Sequence, residues 1–290
     1  MAITAAMIKE LRERTGAGMM DCKKILTETE GDMELAIEEL RKKGAAAAEK
    51  KAGRIAAEGI IATAADDSGS VLIEVNCETD FVAKDENFKA FAAAAADAVL
   101  SNSPADVEAL SQLPANDGAS VEEARQELTT KIGEKISLRR FVRVDRGEGV
   151  VSAYLHGTRI GVLIKLSGGS EELGKDIAMH VAASRPLCIS EAEMDGDVLA
   201  KEREIYQAQA AESGKPAEIV EKMVEGRVRK FLKENTLLGQ PFVKNPDQTV
   251  AQLLESSGAE VVQMVRYEVG EGLEKRSDDF VAEVMAQAGS

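Results

Sequence analysis

The spacing of apolar residues changes near residue 59, and this change constrains the fold more than any other feature of the chain. Before it, apolar residues recur every three or four positions, which is the period of an amphipathic helix. After it come two short apolar runs, GIIATAA (59–65) and VLIEVNC (71–77), separated by DDSGS. Two such runs joined by turn-forming residues predict a β-hairpin. The chain therefore combines an all-helical start with a body that contains strands.

The first 55 residues predict three short helices. Thr4 is a candidate N-cap of the first helix, TGAG (15–18) ends it, and Asp32 is a candidate N-cap of the third. Gly44 is the predicted end of the third helix, and residues 45–58 have the propensity of a helical linker. The apolar stripes of the three helices are Met7, Ile8 and Leu11; Cys22, Ile25 and Leu26; and Met33, Ala36, Ile37 and Leu40.

Two stretches of the body share the order strand, turn, helix. VLIEVNCETDFVAKDENFKAFAAAAADAV begins at residue 71, and VLIKLSGGSEELGKDIAMHVAAS begins at residue 162. We interpret them as the halves of a duplicated α+β core. Residues 101–120 contain Pro, Ser and Asp and predict a loop.

Residues 195–234 return to helical spacing and predict a protruding antiparallel helical hairpin. A helix (TVAQLLESSG), a strand (AEVVQMVRYEVGEG) and a closing helix (DDFVAEVMAQAG) follow. The apolar positions of the hairpin are Val198, Leu199, Ile205 and Tyr206 on one helix, and Ile219, Val220, Met223, Val224, Phe231 and Leu232 on the other.

The charge balance bears on the partners of the chain. Its 290 residues carry 36 Lys and Arg against 51 Asp and Glu, a net charge of −15. This argues against direct nucleic-acid binding, which needs clustered basic residues. The three cysteines are far apart and form no CxxC motif, as in a reduced cytosolic protein. We found neither a signal peptide nor an apolar run of about 18 residues, so we expect a cytoplasmic protein that does not enter a membrane.

The residues that usually carry catalysis are scarce. His180 falls within a predicted helix, which favours a structural role, whereas His156 at a strand end suits function and turn stabilisation equally. Neither has a neighbour at metal-ligand spacing, so we expect no metal and no cofactor. GSEELGKD (169–176) matches the GxxxxGK spacing of a phosphate-binding loop, but Asp176 replaces the required Ser or Thr. We interpret Ser170 as a helix N-cap instead.

Two stretches of the sequence are informative about function through the placement of individual residues. In KELRERTGAGMMDCKKIL (9–26), Met19 and Met20 begin a helix directly after TGAG, where they are either an exposed tip or core residues. In EVNCETDFVAKDENF (74–88), Phe81 stands among carboxylates at a turn from strand to helix. An aromatic ring among charged residues at a turn is poorly placed to pack in a core, so we expect the Phe81 side chain to be exposed.

Both stretches closely resemble signature sequences of the bacterial elongation factor Ts family, the nucleotide exchange factors for elongation factor Tu. The resemblance covers essentially the whole chain. Further matching runs are KKAG (50–53), KIGE (131–134), HGTRIGVL (156–163), IAMHVAAS (177–184), SGKP (213–216), EKMVEGR (221–227), GQPFV (239–243) and EVGEGLEK (268–275).

The resemblance implies a fold class and a domain plan. The class is α+β, with a three-helix domain of the ubiquitin-associated (UBA) type, a two-part core with antiparallel sheets, a helical hairpin and a short C-terminal helix. The expected boundaries are residues 1–55 for the UBA-like domain with its linker, 56–148 for the first core subdomain, 149–194 with 235–272 for the second, 195–234 for the hairpin and 273–290 for the C-terminal module.

The resemblance also implies a function without enzymatic activity. The chain would bind elongation factor Tu with GDP or without nucleotide, and Phe81 would wedge near the Mg²⁺ and phosphate site of that partner. The residues implied in partner binding are Thr79, Asp80, Phe81 and Val82; Arg12, Met19 and Met20; Ile132 and Gly133; and His156 and Val243. Met285 is out of the family register, so no contact is assigned to it. The family varies in oligomeric state, which leaves a homodimer and a heterotetramer with the partner open.

The sequence is also compatible with two other classes of protein. A general binding module would capture a ubiquitin-like or helical ligand with the N-terminal bundle alone. An enzyme that works through carboxylates would need a pocket of convergent acids with shifted pKa values, and nothing in the sequence assembles one.

Overall fold

The computed structural model describes residues 3–115, 119–212 and 216–274 of the chain. These residues form an α+β fold, as the sequence predicted. The described helices are α1 (Ala5–Thr15), α2 (Met19–Glu28), α3 (Met33–Lys51), α4 (Asp80–Ala83), α5 (Glu86–Asn102), α6 (Val107–Gln112), α7 (Val121–Ile132), α8 (Glu171–Ser184), α9 (Gly196–Ala211), α10 (Ala217–Asn235) and α11 (Val250–Ser256). The described strands are β1 (Glu58–Ala65), β2 (Gly69–Cys77), β3 (Ser137–Asp145), β4 (Val150–His156), β5 (Ile160–Ser167), β6 (Pro241–Phe242), β7 (Asn245–Thr249) and β8 (Glu260–Glu268).

The chain divides into two units. The first comprises residues 1–64, 73–142 and 268–290, and the second comprises residues 65–72 and 143–267. The five-part division expected from the sequence is finer than this one and stays a prediction. The predicted closing helix, DDFVAEVMAQAG with Met285, lies outside the described residues.

The three N-terminal helices begin where the sequence predicted. Thr4 accepts a hydrogen bond from the Met7 N–H, and Asp32 accepts one from the Leu35 N–H, so both predicted N-caps are confirmed. Gly16 ends α1 with a φ of 67°, a conformation that glycine adopts without strain. The apolar stripes meet in one core cluster of Leu11, Ala17, Cys22, Ile25, Leu26 and Ala36, with Met7, Ile8, Met33, Ile37 and Leu40 packed against it.

The predicted end of the third helix at Gly44 is wrong, because α3 continues to Lys51. An interior glycine costs a helix only about 1 kcal/mol, and here it serves packing against α7. A Cβ atom at Gly44 would lie 3.0 Å from the Thr130 Oγ1 atom of that helix. The glycine therefore allows close approach of α3 and α7, and only the first part of the predicted linker 45–58 is helical.

The first sheet has the order β1-β2-β3, which confirms the predicted hairpin of β1 and β2. Every residue of β2 is buried. The predicted loop at 101–120 needs correction, since α6 lies within it. Asp106 accepts the Ala109 N–H at 2.7 Å, and the side chain of Leu110 is fully buried. A six-residue helix with a single buried side chain has too little periodicity to be recognised in the sequence.

The second unit contains the sheet β4-β5-β8, in which β4 and β5 are antiparallel. Helix α8 packs against β4 and β5. A Cβ atom at Gly174 would lie 2.3 Å from the Ser152 Oγ atom, so this glycine allows close helix–sheet packing. The predicted N-cap Ser170 is confirmed by a 3.2 Å hydrogen bond from the Leu173 N–H. Packing and capping thus account for the GxxxxGK spacing.

Helices α9 and α10 pack against each other as the hairpin prediction required. Their interface consists of Ala210, Val224 and Val228, with Leu199, Tyr206, Val220 and Leu232 packed against them. Val198, Ile205 and Ile219, which the sequence placed on the same stripes, are exposed. Val198 and Ile205 each precede an interface residue by one position, and one position rotates a side chain by about 100° around the helix.

Candidate partner-binding surface

Three apolar side chains of the first unit are strongly exposed. Phe81 is 80% exposed, Met20 76% and Met19 60%. The expectation that Phe81 lies outside the core is confirmed, and so is the exposed-tip interpretation of the two methionines. Exposed apolar side chains of this size are candidates for contact with another protein.

Phe81 is presented by α4, a helix of a single turn. The Thr79 hydroxyl caps it by accepting the Val82 N–H at 3.4 Å, and the side chains of Val82 and Ala83 are buried. Asp80 forms a 2.7 Å ion pair with Lys84, whose ammonium group lies 5.9 Å from the centroid of the Phe81 ring. The hydrogen bond from Lys84 lowers the pKa of the exposed Asp80 carboxyl. The turn is therefore anchored by Val82 and Ala83, while Phe81 faces solvent.

Ile132 and Gly133 lie where α7 ends. Gly133 has a φ of 87° and its N–H donates to the Thr129 carbonyl at 2.9 Å, so it closes the helix. Glu134 follows directly and accepts three hydrogen bonds from Glu78 and Thr79. The structure thus brings the predicted residues Ile132 and Gly133 next to the Phe81 turn.

Sequence reasoning left Glu134 out of the predicted site. The available signal was its place in KIGE, directly after two predicted residues. Its hydrogen-bond partners are 55 and 56 positions away in the chain, so no local pattern indicated them.

Helix α7 links the methionine tip, which consists of Met19 and Met20, with the turn that carries Phe81. The Lys131 ammonium donates to Asn87 Oδ1 at 2.9 Å, at the start of α5. The aliphatic part of the same side chain passes within 3.3 Å of where a Cβ of Gly16 would lie. Gly16 precedes Met19 by three residues, so the C-terminal end of α7 lies between the two predicted contact regions. Arg12 is exposed on α1.

His156 and Val243 belong to the second unit and are both exposed. The Tyr154 hydroxyl lies 3.3 Å from His156 Nδ1. Val243 follows β6, and its N–H donates to Nδ1 of the buried His180 at 3.1 Å. Since Nδ1 accepts, Nε2 carries the proton and donates to Gln240 Oε1 at 2.9 Å. His180 has the structural role predicted for it, and that role is to hold Val243.

The pH dependence of stability is expected to report on His180. Burial lowers the pKa of His180 below its ordinary value of 6.5, against a smaller opposite effect of Gln240. Below that value the unfolded chain takes up a proton that the folded chain does not, so stability falls as pH falls. We expect the free energy of unfolding of the wild type to decrease between about pH 7.5 and about pH 5.5, the range in which histidine titrates. Urea titrations at several pH values measure it.

The matched variants use the fact that the chain has two histidines. His180→Ala leaves Gln240 Oε1 and the Val243 N–H unpaired, which costs about 1–3 kcal/mol near neutral pH. It should also lack the acidic slope, whereas His156→Gln should keep it. Equal slopes in all three proteins would contradict this account.

Within residues 3–115, 119–212 and 216–274, no three His, Cys, Asp or Glu side chains are grouped as a metal site would require. Burial raises the pKa of the Cys77 thiol to about 12, with a further contribution from the Glu134 charge, so this cysteine is a poor nucleophile. None of the helices in the described ranges combines the length and the apolar character that crossing a bilayer requires.

The fold and the site define an α+β protein of two units whose distinctive surface is a set of exposed apolar side chains of the kind that binds proteins. Comparison with known proteins identifies the family. The family model described as elongation factor TS matches residues 78–271. The chain is 61% identical to elongation factor Ts of Thioalkalivibrio sulfidiphilus, 58% to that of Methylococcus capsulatus and 57% to that of Legionella pneumophila (strain Paris). These alignments cover 98–99% of both chains.

The chain therefore belongs to the bacterial elongation factor Ts family. It is a translation elongation factor of protein biosynthesis.

Proposed function

We propose that the chain binds elongation factor Tu with GDP bound and accelerates GDP release by placing Phe81 near the Mg²⁺ and phosphate site of that partner. Family membership implies elongation factor Tu as the partner. The observation that carries the proposal is the Phe81 ring, which is 80% exposed on an anchored turn. Burial of a solvent-exposed apolar ring by a partner lowers the free energy of the complex.

Exchange requires that the factor and the nucleotide weaken each other. If this chain lowers the affinity of elongation factor Tu for GDP, GDP lowers the affinity of the partner for this chain by the same factor. Each tenfold gain in the release rate removes about 1.4 kcal/mol from the barrier. An acceleration of several orders of magnitude therefore takes about 5 kcal/mol of binding energy that is realised as GDP leaves.

Phe81 does not supply this free energy alone, since full burial of one such ring is worth about 1.5–3 kcal/mol. Arg12, Met19 and Met20 provide a second contact on the nucleotide-binding domain of the partner. His156 and Val243 of the second unit provide contacts to its other domains. These residues thus stabilise the complex, whereas Asp80 and Phe81 displace the elements of the partner that bind Mg²⁺.

The direct test is the release of a fluorescent GDP analogue from purified elongation factor Tu, followed with and without this chain. The proposed function requires a rate that rises with the concentration of the chain and then saturates. A release rate independent of the chain would refute the proposed function.

The methionine tip is expected to control affinity. In the Met19→Ala, Met20→Ala double variant, the concentration of the chain that gives half the maximal release rate should rise about tenfold. Two side chains that become partly buried in the complex contribute at least that much binding free energy. The maximal rate should stay close to that of the wild type, because Phe81 still reaches its site.

Leu35→Ala is a suitable control, since Leu35 is 44% exposed on α3 of the same helical segment. It should leave the half-saturating concentration unchanged. Both variants should stay within about 0.5 kcal/mol of wild-type stability, as is usual for surface changes. Wild-type affinity of the methionine double variant would remove the tip from the proposed interface.

A further inference from the structure

We infer that Glu134 is a positioning residue for Phe81: its carboxylate holds the turn that presents the ring, and this hold sets the rate of GDP release more than the affinity for the partner. The inference rests on the proposed function, because it concerns the surface that acts on elongation factor Tu. Its basis is the set of hydrogen bonds between two segments of the first unit.

The Glu134 carboxylate binds the segment that leads into α4. Its Oε2 atom accepts the N–H groups of Glu78 and Thr79 at 3.1 and 3.0 Å, and its Oε1 atom accepts the Thr79 hydroxyl at 2.7 Å. Hydrogen bonds to an ionised carboxylate are shorter and stronger than those between neutral groups. Three of them converge on the two residues that precede Asp80.

The Thr79 hydroxyl connects this carboxylate with the helix that carries Phe81. It donates to Glu134 and accepts the Val82 N–H at 3.4 Å as the N-cap of α4. Because the proton points to Glu134, an oxygen lone pair is free for Val82. The carboxylate therefore orients the cap of a one-turn helix, which is too short to be stable without external support.

The reverse contact comes from Glu78. Its carboxylate accepts the Lys135 N–H at 2.6 Å and is paired with Arg54 at 3.1 Å. Each of the two segments thus donates backbone N–H groups to the carboxylate of the other. We call this reciprocal arrangement of Glu78, Thr79, Glu134 and Lys135 the carboxylate brace.

The brace also fixes the place of Ile132 and Gly133 relative to Phe81. Gly133 directly precedes Glu134, and Thr79 is two residues before Phe81. Two predicted contact regions, at the end of α7 and on α4, are therefore held at one distance from each other. The Phe81 ring accelerates GDP release only when it is held rigidly. A mobile ring would move aside instead of displacing the elements of the partner that bind Mg²⁺.

The test uses three variants in exchange assays with elongation factor Tu. Glu134→Ala removes all three acceptor interactions, and we expect a maximal release rate about tenfold below wild type, since small misplacement of an acting group costs one to two orders of magnitude. The half-saturating concentration should change less than about threefold, because the other contacts remain. Glu134→Gln keeps an acceptor for both N–H groups and should restore most of the rate. Glu86→Ala removes an exposed carboxylate whose ion-pair partner is Lys89 on the same helix, and it should match the wild type.

A spectroscopic measurement follows the ring without any partner. The chain has no tryptophan, so Phe81→Trp introduces a single reporter at the wedge position. Time-resolved anisotropy should show more fast motion of Trp in Phe81→Trp, Glu134→Ala than in Phe81→Trp alone. Phe81→Trp, Glu134→Gln should resemble Phe81→Trp.

The outcomes separate the two claims. If the wild type fails to accelerate GDP release, the proposed function is wrong, and the anisotropy comparison still tests the brace. If the wild type is active but Glu134→Ala keeps both its maximal rate and an immobile reporter, Glu134 does not position Phe81. A loss of affinity as large as the loss of rate would also overturn the inference. Should Glu134→Ala not fold, Thr79→Val removes only the hydroxyl and should lower the maximal rate in the same direction.

Discussion

Phe81→Ala is expected to lower the maximal rate of stimulated GDP release about 10- to 100-fold. The estimate follows from the burial free energy of one aromatic ring, about 1.5–3 kcal/mol, at about 1.4 kcal/mol for each factor of ten in rate. Affinity for the nucleotide-free partner should fall much less, because an interaction made mainly in the transition state of GDP release changes the rate and not the affinity of the resting complex. Stopped-flow release of a fluorescent GDP analogue and equilibrium binding to the nucleotide-free partner measure the two quantities separately.

The exposure of the ring and a conservative variant make this experiment specific. Since the ring is 80% exposed, its removal should leave the free energy of unfolding within about 0.5 kcal/mol of the wild type. Phe81→Leu keeps part of the apolar volume and should give an intermediate rate. Equal losses of rate and affinity would make Phe81 an ordinary anchor and refute the wedge.

The largest loss of stability is expected from Glu74→Ala. Glu74 is fully buried in β2 and accepts the Gly270 N–H at 2.8 Å. It also pairs with Arg139 at 2.9 Å and with Arg140 at 2.7 Å on β3. Removal of the carboxylate leaves two guanidinium groups without their buried counter-charge, which costs about 3–5 kcal/mol. Guanidinium chloride titration followed by circular dichroism measures the loss.

The acid dependence of stability provides a second readout of Glu74. Burial opposes ionisation most strongly, yet Gly270, Arg139 and Arg140 together hold the pKa of this carboxyl below its ordinary value of 4.5. Its contribution is therefore complete above about pH 4.5 and is lost as the pH falls towards the folded-state pKa. Glu74→Ala should lack this acid-sensitive contribution.

Glu271→Ala is the matched control, because Glu271 pairs with Arg140 at 3.4 Å but is half-exposed. Such exposed pairs contribute about 0–1 kcal/mol. A loss of stability in Glu74→Ala no larger than in Glu271→Ala would show that the buried carboxylate does not hold the structure together.

The parts of the site that could be predicted are those that depend on neighbours along the chain. Thr4, Asp32 and Ser170 were recognised as N-caps because a cap bonds a backbone N–H two or three residues away. The exposure of Phe81 was expected because Asp80 and Lys84 surround it in sequence. Helical spacing alone indicated the cores of the three N-terminal helices.

The parts that could not be predicted depend on contacts between distant segments. Gly44 fits a predicted helix end because a helix end and a close helix–helix contact both favour glycine. Its contact with Thr130 of α7 decided between them. Helix α6 could not be predicted because its single buried side chain, Leu110, gives no repeating spacing of apolar residues.

The sequence by itself determined the α+β class, the helical start and the family, and it predicted the residues that a partner would meet, because each of these follows from local spacing or from recognisable motifs. Only the tertiary structure decided how those residues are held. Glu134 lies 55 positions from Thr79, His180 lies 63 from Val243, and Glu74 lies 196 from Gly270. A carboxylate or an imidazole looks the same in the sequence whether it is solvated or paired, and only folding brings its backbone donors within hydrogen-bond distance.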